Sequence, residues 1–174
     1  MKKVFLMMIA AMAMTMVSCG GTANGGDGND STATQEQAAA PAGNVYDGDK
    51  FTMSLPDNFK ETSKGESYVN AEDSQNDMVL DATFSDYPCK PADFQTYYNN
   101  FTGMEMNKDS KFEEAKIDGN ILTFKGVEQV YATTNFVVFI DDQAGVAGKV
   151  RYPIEKAGDI EAKIMPMLKS IKKK

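Results

Sequence analysis

Two cysteines are the only thiols in the chain, and their surroundings are opposite in kind. Cys19 closes an apolar run in Met16-Val17-Ser18-Cys19-Gly20-Gly21, whereas Cys89 stands between Pro88 and Lys90. A thiol becomes a nucleophile only as thiolate, which calls for a neighbouring base. The sequence contains no histidine to serve as that base. The lack of histidine also removes the usual general base near neutral pH and the commonest imidazole metal ligand. Cys89 therefore reads as a free or buried structural thiol, open to an intermolecular disulfide in an oxidising compartment.

The remaining chemistry-bearing groups have plainer readings. Asp141-Asp142 closes an apolar segment and Asp47 and Asp49 flank Gly48; such pairs could bind Ca²⁺ or act as acid and base, but EF-hand spacing is missing and acidic residues form solvated turns readily. Met104-Glu105-Met106 and Met165-Pro166-Met167 place thioethers two apart, a pattern suited to Cu(I). Both lie in or beside predicted helices, where core packing is the expected use. Gly145-Val146-Ala147-Gly148-Lys149-Val150 lacks the four-residue spacing and the Ser or Thr of a phosphate loop, so it reads as a tight turn into a strand. Gly25, Gly26 and Gly28 have neither a strand before them nor a helix after them, and fail the same test. No catalytic, metal or cofactor site is assigned on these grounds.

The composition narrows the partners. Among 174 residues, 25 acidic ones outnumber 18 basic ones, giving a net charge of −7, and Arg151 is the sole arginine. Phosphate backbones are met by clustered Lys and Arg, so nucleic acid is excluded as an expected partner. Tryptophan is absent, which removes the best stacking residue for a quaternary-ammonium ligand.

Lys2 and Lys3 precede an uncharged stretch from Val4 to Val17. At about 1.5 Å per residue this stretch reaches roughly 21 Å, short of the ~30 Å hydrocarbon core of a bilayer. Charge, apolar segment and small residues in that order read as a signal peptide over 1–18. A buried amphipathic helix would show polar residues at helical spacing, and only Thr15 is polar here. Met16-Val17-Ser18-Cys19 resembles the lipobox of bacterial lipoproteins, with Met16 in place of the usual leucine. The resemblance implies a diacylglyceryl group on the Cys19 sulfur, cleavage before Cys19, and often an acylated amine. Stable anchoring takes two or more acyl chains at about 0.8 kcal/mol per buried CH₂, which such a cysteine would supply. Cleavage would also remove Met1, Met7, Met8, Met12, Met14 and Met16, half of the chain's 12 methionines.

From Gly20 to Asn44 the chain has no Val, Ile, Leu, Met or aromatic residue. A segment that cannot bury apolar area cannot offset its ordering entropy, so residues 19–44 read as a lipidated cysteine followed by a disordered linker. A flexible tether of 25 residues would reach ~25–30 Å.

Residues 45–174 read as one globular α+β domain. Val45-Tyr46 and Phe51 to Leu55 predict strands joined at Asp47-Gly48, followed by Ser67 to Ala71 and by Met78, Leu80, Ala82 and Phe84 at period two. Phe94, Tyr97, Tyr98 and Phe101 share one helical face, with Pro91 at the start and Gly103 at the end. Strands resume over Phe112 to Ile117, turn at Asp118-Gly119-Asn120, and run through Ile121 to Phe124 and Val127 to Ala132. Phe136 to Ile140 is apolar at every position, which predicts a central strand buried on both faces; Val146 to Tyr152 returns beside it. Ile160, Ile164, Leu168 and Ile171 predict a closing helix with Asp159 as N-cap, kinked or started late by Pro166. Lys172 to Lys174 would complement that helix's C-terminus and touch anionic headgroups.

The expected architecture is an antiparallel sheet of six to seven strands covered by two helices. Phe51-Thr52-Met53-Ser54-Leu55-Pro56-Asp57-Asn58-Phe59, the helix after the 78–84 strand, and the closing Leu168-Lys169-Ser170-Ile171-Lys172 resemble the Mog1/PsbP-like α/β/α sandwich. That resemblance implies a fold and no activity, because functional residues of its better-known members have no counterparts here. The functional expectation is a lipid-anchored cell-envelope lipoprotein with a non-catalytic binding or accessory domain. A periplasmic carrier of a small apolar ligand or metal, and a carboxylate-based hydrolase, are the alternatives. Gly20 stands where an inner-membrane retention aspartate would follow the cysteine, so the expected location is the outer membrane facing the periplasm. The expected partners are the membrane and an envelope protein. Limited proteolysis tests the division: cleavage should fall first within 20–44 and leave 45–174 intact, and early cuts between Phe51 and Tyr152 would contradict a single domain.

Overall fold

The computed structural model describes residues 44–107 and 110–174. Strands β1 (Val45–Asp47) and β2 (Phe51–Ser54) form the expected hairpin, and Tyr46, Phe51 and Met53 all point into the core. β3 (Lys60–Gly65), β4 (Tyr68–Asp73) and β5 (Met78–Ser85) follow as a meander. On β5 Met78, Leu80, Ala82 and Phe84 are buried in strict alternation.

A 3₁₀ turn over Pro91–Asp93 leads into α1 (Phe94–Thr102), where the missing N–H of Pro91 costs no helical bond. Then come β6 (Lys111–Phe112), β7 (Lys116–Asp118), β8 (Ile121–Glu128), β9 (Tyr131–Asp141) and β10 (Ala144–Pro153). Helix α2 (Ala157–Lys169) and β11 (Lys172–Lys173) end the chain.

The main sheet has eight antiparallel strands: the order is β3-β4-β5-β10-β9-β8-β6, with β7 also paired to β8. A second, three-stranded sheet has the order β1-β2-β11. The α+β class with two helices is therefore as expected, and the strand number is higher. β3 carries no hydrophobic period, since Lys60-Glu61-Thr62-Ser63-Lys64-Gly65 has no apolar residue; it is an edge strand held by backbone pairing to β4. Phe112 to Ile117 divides into β6 and β7. Val127 to Ala132 is broken by a turn in which Gln129 takes φ 52°. Gly119, at φ 60°, makes the predicted turn between β7 and β8, where a side chain would be strained.

Two hydrophobic clusters lie on the two faces of the sheet. The larger one gathers Phe51, Met53, Leu80, Phe84, Phe136, Val138, Val146, Tyr152, Ile160, Ile164 and Leu168. The smaller one, under α1, gathers Phe94, Leu122, Phe124 and Val137, with Tyr97, Tyr98, Phe101 and Phe112 packed against it. Its rings meet largely edge to face, with Phe101 5.1 Å from Phe124 and Tyr98 5.3 Å from Phe124.

The strand β9 serves both clusters, as its uninterrupted apolar run predicts. Phe136, Val137 and Val138 are buried, but Phe139 and Ile140 are only half-buried. The cover ends there because the strand is about to leave the sheet for the Asp142-Gln143 turn.

Three further expectations are corrected. Asp159 sits in the first turn of α2, and Lys156 holds the N-cap position without a side-chain bond. Pro166 lies inside α2 on its exposed side, and the helix continues past it to Lys169. Lys172 and Lys173 do not extend the helix end; they pair with Thr52 and Phe51 as an edge strand.

The two-sided burial fixes the expected losses. Phe136→Ala should cost about 3–5 kcal/mol, and half-buried Phe139→Ala about 2 kcal/mol. Urea unfolding checks both; equal losses would mean that the cover does not thin towards Asp141.

Candidate functional site

Cys19, the one site residue assigned from the sequence, lies outside the described residues, as do 1–18 and the linker up to Gly43. The other chemistry-bearing residues can be placed. Cys89 is half-buried against the α1 cluster, is a free thiol, and is held protonated: burial raises its pKa and the nearby Asp93 adds to the shift. Asp141 accepts the Gln143 backbone N–H at 2.8 Å and Lys173 Nζ at 3.2 Å. The backbone bond and the lysine together hold its pKa below the usual carboxylate value. Asp142 pairs with Lys90 at 2.8 Å and Asp47 with Lys174 at 2.7 Å. These acids are turn formers matched to lysines. Among the described residues no group of three or more His, Cys, Asp or Glu could hold a metal ion.

The two methionine pairs part company. Met167 is buried and Met165 packs against the main core, as expected. Met104 and Met106, expected as core filler, are exposed beyond the end of α1, Met106 by 83%. Helix α1 ends at Thr102, so neither residue shares its buried face. Gly145 to Val150 is strand throughout, and the turn expected there lies upstream at Asp142-Gln143. Gly148 is needed for packing: a Cβ there would lie 2.0 Å from the Asp81 carbonyl oxygen and 2.8 Å from the Phe136 ring.

The most elaborate polar arrangement in the structure involves residues that sequence reasoning did not single out. On the α2-facing side of β8 the inward row runs Ile121, Thr123, Lys125, and its register sets Lys125 opposite Thr134 of β9. The row is apolar at one end and polar at the other. Tyr152 of β10, with no exposed surface, shares a hydrogen bond of 2.9 Å with the Thr134 hydroxyl and donates to Glu161 Oε1 of α2 at 2.8 Å. Lys125 Nζ lies 3.3 Å from Glu161 Oε1 and 2.8 Å from Glu113 Oε1. The chain Thr134–Tyr152–Glu161–Lys125–Glu113 thus links three strands, the helix and the β6–β7 connection.

A groove of about 140 Å³ opens beside this chain, lined among others by Glu113, Glu114, Lys116, Thr123, Ile164 and Met165. Burial, the Glu161 carboxylate and the bond to it push Tyr152 up to about 12 against the opposing effects of Thr134 and Lys125. The hydrogen bond to Glu113 raises Lys125 despite partial burial. The groove therefore offers fixed charges and fixed donors, and neither Tyr152 nor Lys125 exchanges a proton near neutral pH.

A second hollow, about 480 Å³, lies at the other end of the sheet among Lys50, Phe84, Asp86, Tyr87, Gln143, Lys173 and Lys174. Lys173 and Lys174 are already paired with Asp141 and Asp47, which leaves Lys50 as its one lysine without an ion pair among the described residues.

No protein-family profile matches the chain, and no curated protein matches it. Solved structures do. Cyanobacterial PsbP (CyanoP) from Synechocystis superposes with a TM-score of 0.53 at 11% identity, over 75% of this chain and 92% of that one. The fold is PsbP-like. The Ran-binding protein Mog1p of Saccharomyces cerevisiae aligns with a TM-score of 0.49 at 12% identity, over 70% of this chain and 89% of its own. At such identities the likeness extends to the fold alone.

The raised pKa of Tyr152 has a definite sign. Its proton is held more tightly in the folded chain than in the unfolded one, where the value is near 10.0. The stability it contributes is fully present below pH 10 and is lost as pH rises through about 12. Tyr152→Phe should cost about 1–3 kcal/mol at pH 8 by stripping Thr134 and Glu161 of a partner. The gap between wild type and variant should then narrow as unfolding is repeated towards pH 12. A gap that stays constant would contradict the assignment.

Proposed function

We propose that this chain is a lipid-anchored cell-envelope protein whose PsbP-like domain binds another component and performs no covalent chemistry. The observation that carries the non-catalytic reading is the state of the groove: Tyr152 is pushed up to about 12 and Lys125 is raised, so both are locked in their resting forms. A general acid or base works best with a pKa near the operating pH, the opposite arrangement. The thiol of Cys89 is likewise held protonated, away from its nucleophilic form.

A hydrolase built on two carboxylates is the reading this geometry most nearly allows, since Glu113 and Glu161 share a concave site. Yet the Lys125 ammonium sits between them, within 3.3 Å of both. It occupies the place that an attacking water or leaving atom would need. A carrier of an apolar ligand would call for an enclosed apolar cavity, and this groove is open to solvent and edged by the charged Glu113, Glu114, Lys116, Lys125 and Glu161. Exposed Tyr87, in the connection before α1, and Met104 and Met106, just after it, suit contact with a protein partner.

The anchor rests on Lys2-Lys3, the uncharged stretch after them, and Met16-Val17-Ser18-Cys19. Among the described residues no helix is long and apolar enough to cross a membrane. Gly20 after the cysteine favours the outer membrane, with the domain facing the periplasm. Mass spectrometry and detergent partitioning test the anchor. Wild-type protein should begin at Cys19 and carry added lipid mass, and Cys19→Ala should accumulate as uncut precursor with a folded domain. A wild-type chain beginning elsewhere, or at Cys19 without lipid, would overturn it.

A further inference from the structure

We propose that the part of the sheet left bare beside α1 is the docking face for a different protein, which sets an uncharged amide of its own against the side chain of Asn135. The proposal rests on the binding-domain reading and gives that domain its surface. Its first ground is one unengaged side chain. Asp73, Thr134 and Asn135 are the buried polar residues among the described ones. Asp73 accepts hydrogen bonds from Gln75 and Asn76, and Thr134 shares one with Tyr152. Asn135, only 8% exposed, has no side-chain hydrogen bond among the described residues. Neither polar atom of its amide is sealed from solvent, so the group looks outward from the sheet. An amide left unpaired at that depth costs stability, and asparagine is a poor strand former. In the register Asn135 stands between Phe124, which belongs to the α1 cluster, and exposed Lys149, so it marks the line where the helix's cover gives out.

The second ground is the chemistry of the face beyond that line. The α1 cluster takes in no residue of β3, β4 or β5. On β4, β5 and β10 the outward charges are Glu72, Asp81, Lys149 and Arg151, which balance. A balanced face exerts no long-range pull on nucleic acid, an anionic membrane or a simple ion. What it presents is short-range and polar. The Asn135 amide needs a donor and an acceptor together, and a peptide group or another Asn or Gln supplies both.

Breadth supplies the third ground. Strands lie about 4.8 Å apart, so four of them make an area roughly 15–20 Å wide. Small molecules bind in clefts, whereas an open surface of this breadth suits a protein. Tyr68, 41% exposed, lies on the same face, and the Arg151 guanidinium stands 4.7 Å above the Tyr131 ring. Tyrosine and arginine are enriched where proteins meet. The face is polar enough to stay wet until its partner arrives.

The test uses the full-length protein in its own cells, with a photo-crosslinking phenylalanine analogue at exposed position 149 or, beyond the end of α1, at position 106. Position 149 should capture one other protein, identified by mass spectrometry, and Asn135→Val should cut that capture about tenfold or more. The same variant should melt at a higher temperature, because a strand former has replaced an unpaired amide. A lower melting temperature would give Asn135 a structural bond and overturn the proposal. Capture that Asn135→Val leaves unchanged would mean that the amide holds only water, and would overturn it too. Capture of a second copy of this chain would make the face a self-contact and overturn a different partner. Capture from position 106 alone would strike this face and keep the binding-domain reading, whereas capture from neither position would count against both.

Discussion

The strands β9 and β10 run side by side at the middle of the sheet, and each sends alternate residues into different cores. Their packing turns on one close approach. Gly148 stands opposite Phe136 in the register, and the Phe136 ring occupies the space that a Cβ at 148 would claim. The ring is 1% exposed. It shares the main core with Ile160, Ile164 and Leu168 of α2 and with the aromatic pair Tyr46 and Phe51, whose centroids lie 4.9 Å apart. A larger residue at 148 would collide first with the Asp81 carbonyl oxygen at 2.0 Å, and so disturb the β5–β10 pairing, and also press on the Phe136 ring that the main core rests on.

The opposite face is covered unequally. Helix α1 has only 9 residues, about 14 Å of length, and its apolar stripe reaches Leu122, Phe124, Val137 and Phe139 but not the far strands. There the outward residues other than Val79 are polar: Asn70 and Glu72 on β4, Asp81 on β5, Lys149 and Arg151 on β10. They match across the strands, with Lys149 3.7 Å from Asp81, Arg151 3.8 Å from Asp77, and the Arg151 guanidinium 4.7 Å above the Tyr131 ring. Exposed pairs of this kind add little stability each. Their value is that they make an open sheet face wet, so the short helix is cover enough.

The parts of this architecture that were legible in the sequence are those where apolar side chains mark the backbone's period. Alternation gave β2 and β5, an unbroken apolar run gave β9, and the spacing of Phe94, Tyr97, Tyr98 and Phe101 gave α1. β3 and β11 carry no such mark, because an edge strand can be held by main-chain bonds alone; Lys172 and Lys173 look like a charged tail until Thr52 and Phe51 pair with them. The groove was hidden for a different reason. Lys125, Thr134, Tyr152 and Glu161 lie on four elements, and each by itself resembles an ordinary surface or core residue. The one local signal was Thr123 and Lys125 at alternate positions after Ile121, an inward row that turns polar. Its meaning depends on the β8–β9 register and on where α2 lands, neither of which a single sequence displays.

The landing of α2 is itself a polar matter. The helix has no side-chain N-cap and carries a proline, so its intrinsic stability is low, and tertiary contacts must hold it. Its buried stripe of Ile160, Ile164, Met167 and Leu168 supplies most of the attraction, but apolar contacts are non-directional and tolerate a slide along the axis. Two hydrogen-bonded pins remove that freedom. Near the first turns Glu161 receives Tyr152 and Lys125; at the far end the Ser54 backbone N–H donates to Ser170 Oγ at 2.8 Å, and Ser170 Oγ donates to the Met167 carbonyl at 2.6 Å. A slip of one turn would break both pins at once and leave the Tyr152 hydroxyl short of a partner in the core. The same bonds that register the helix therefore also hold Glu161 in place at the edge of the groove.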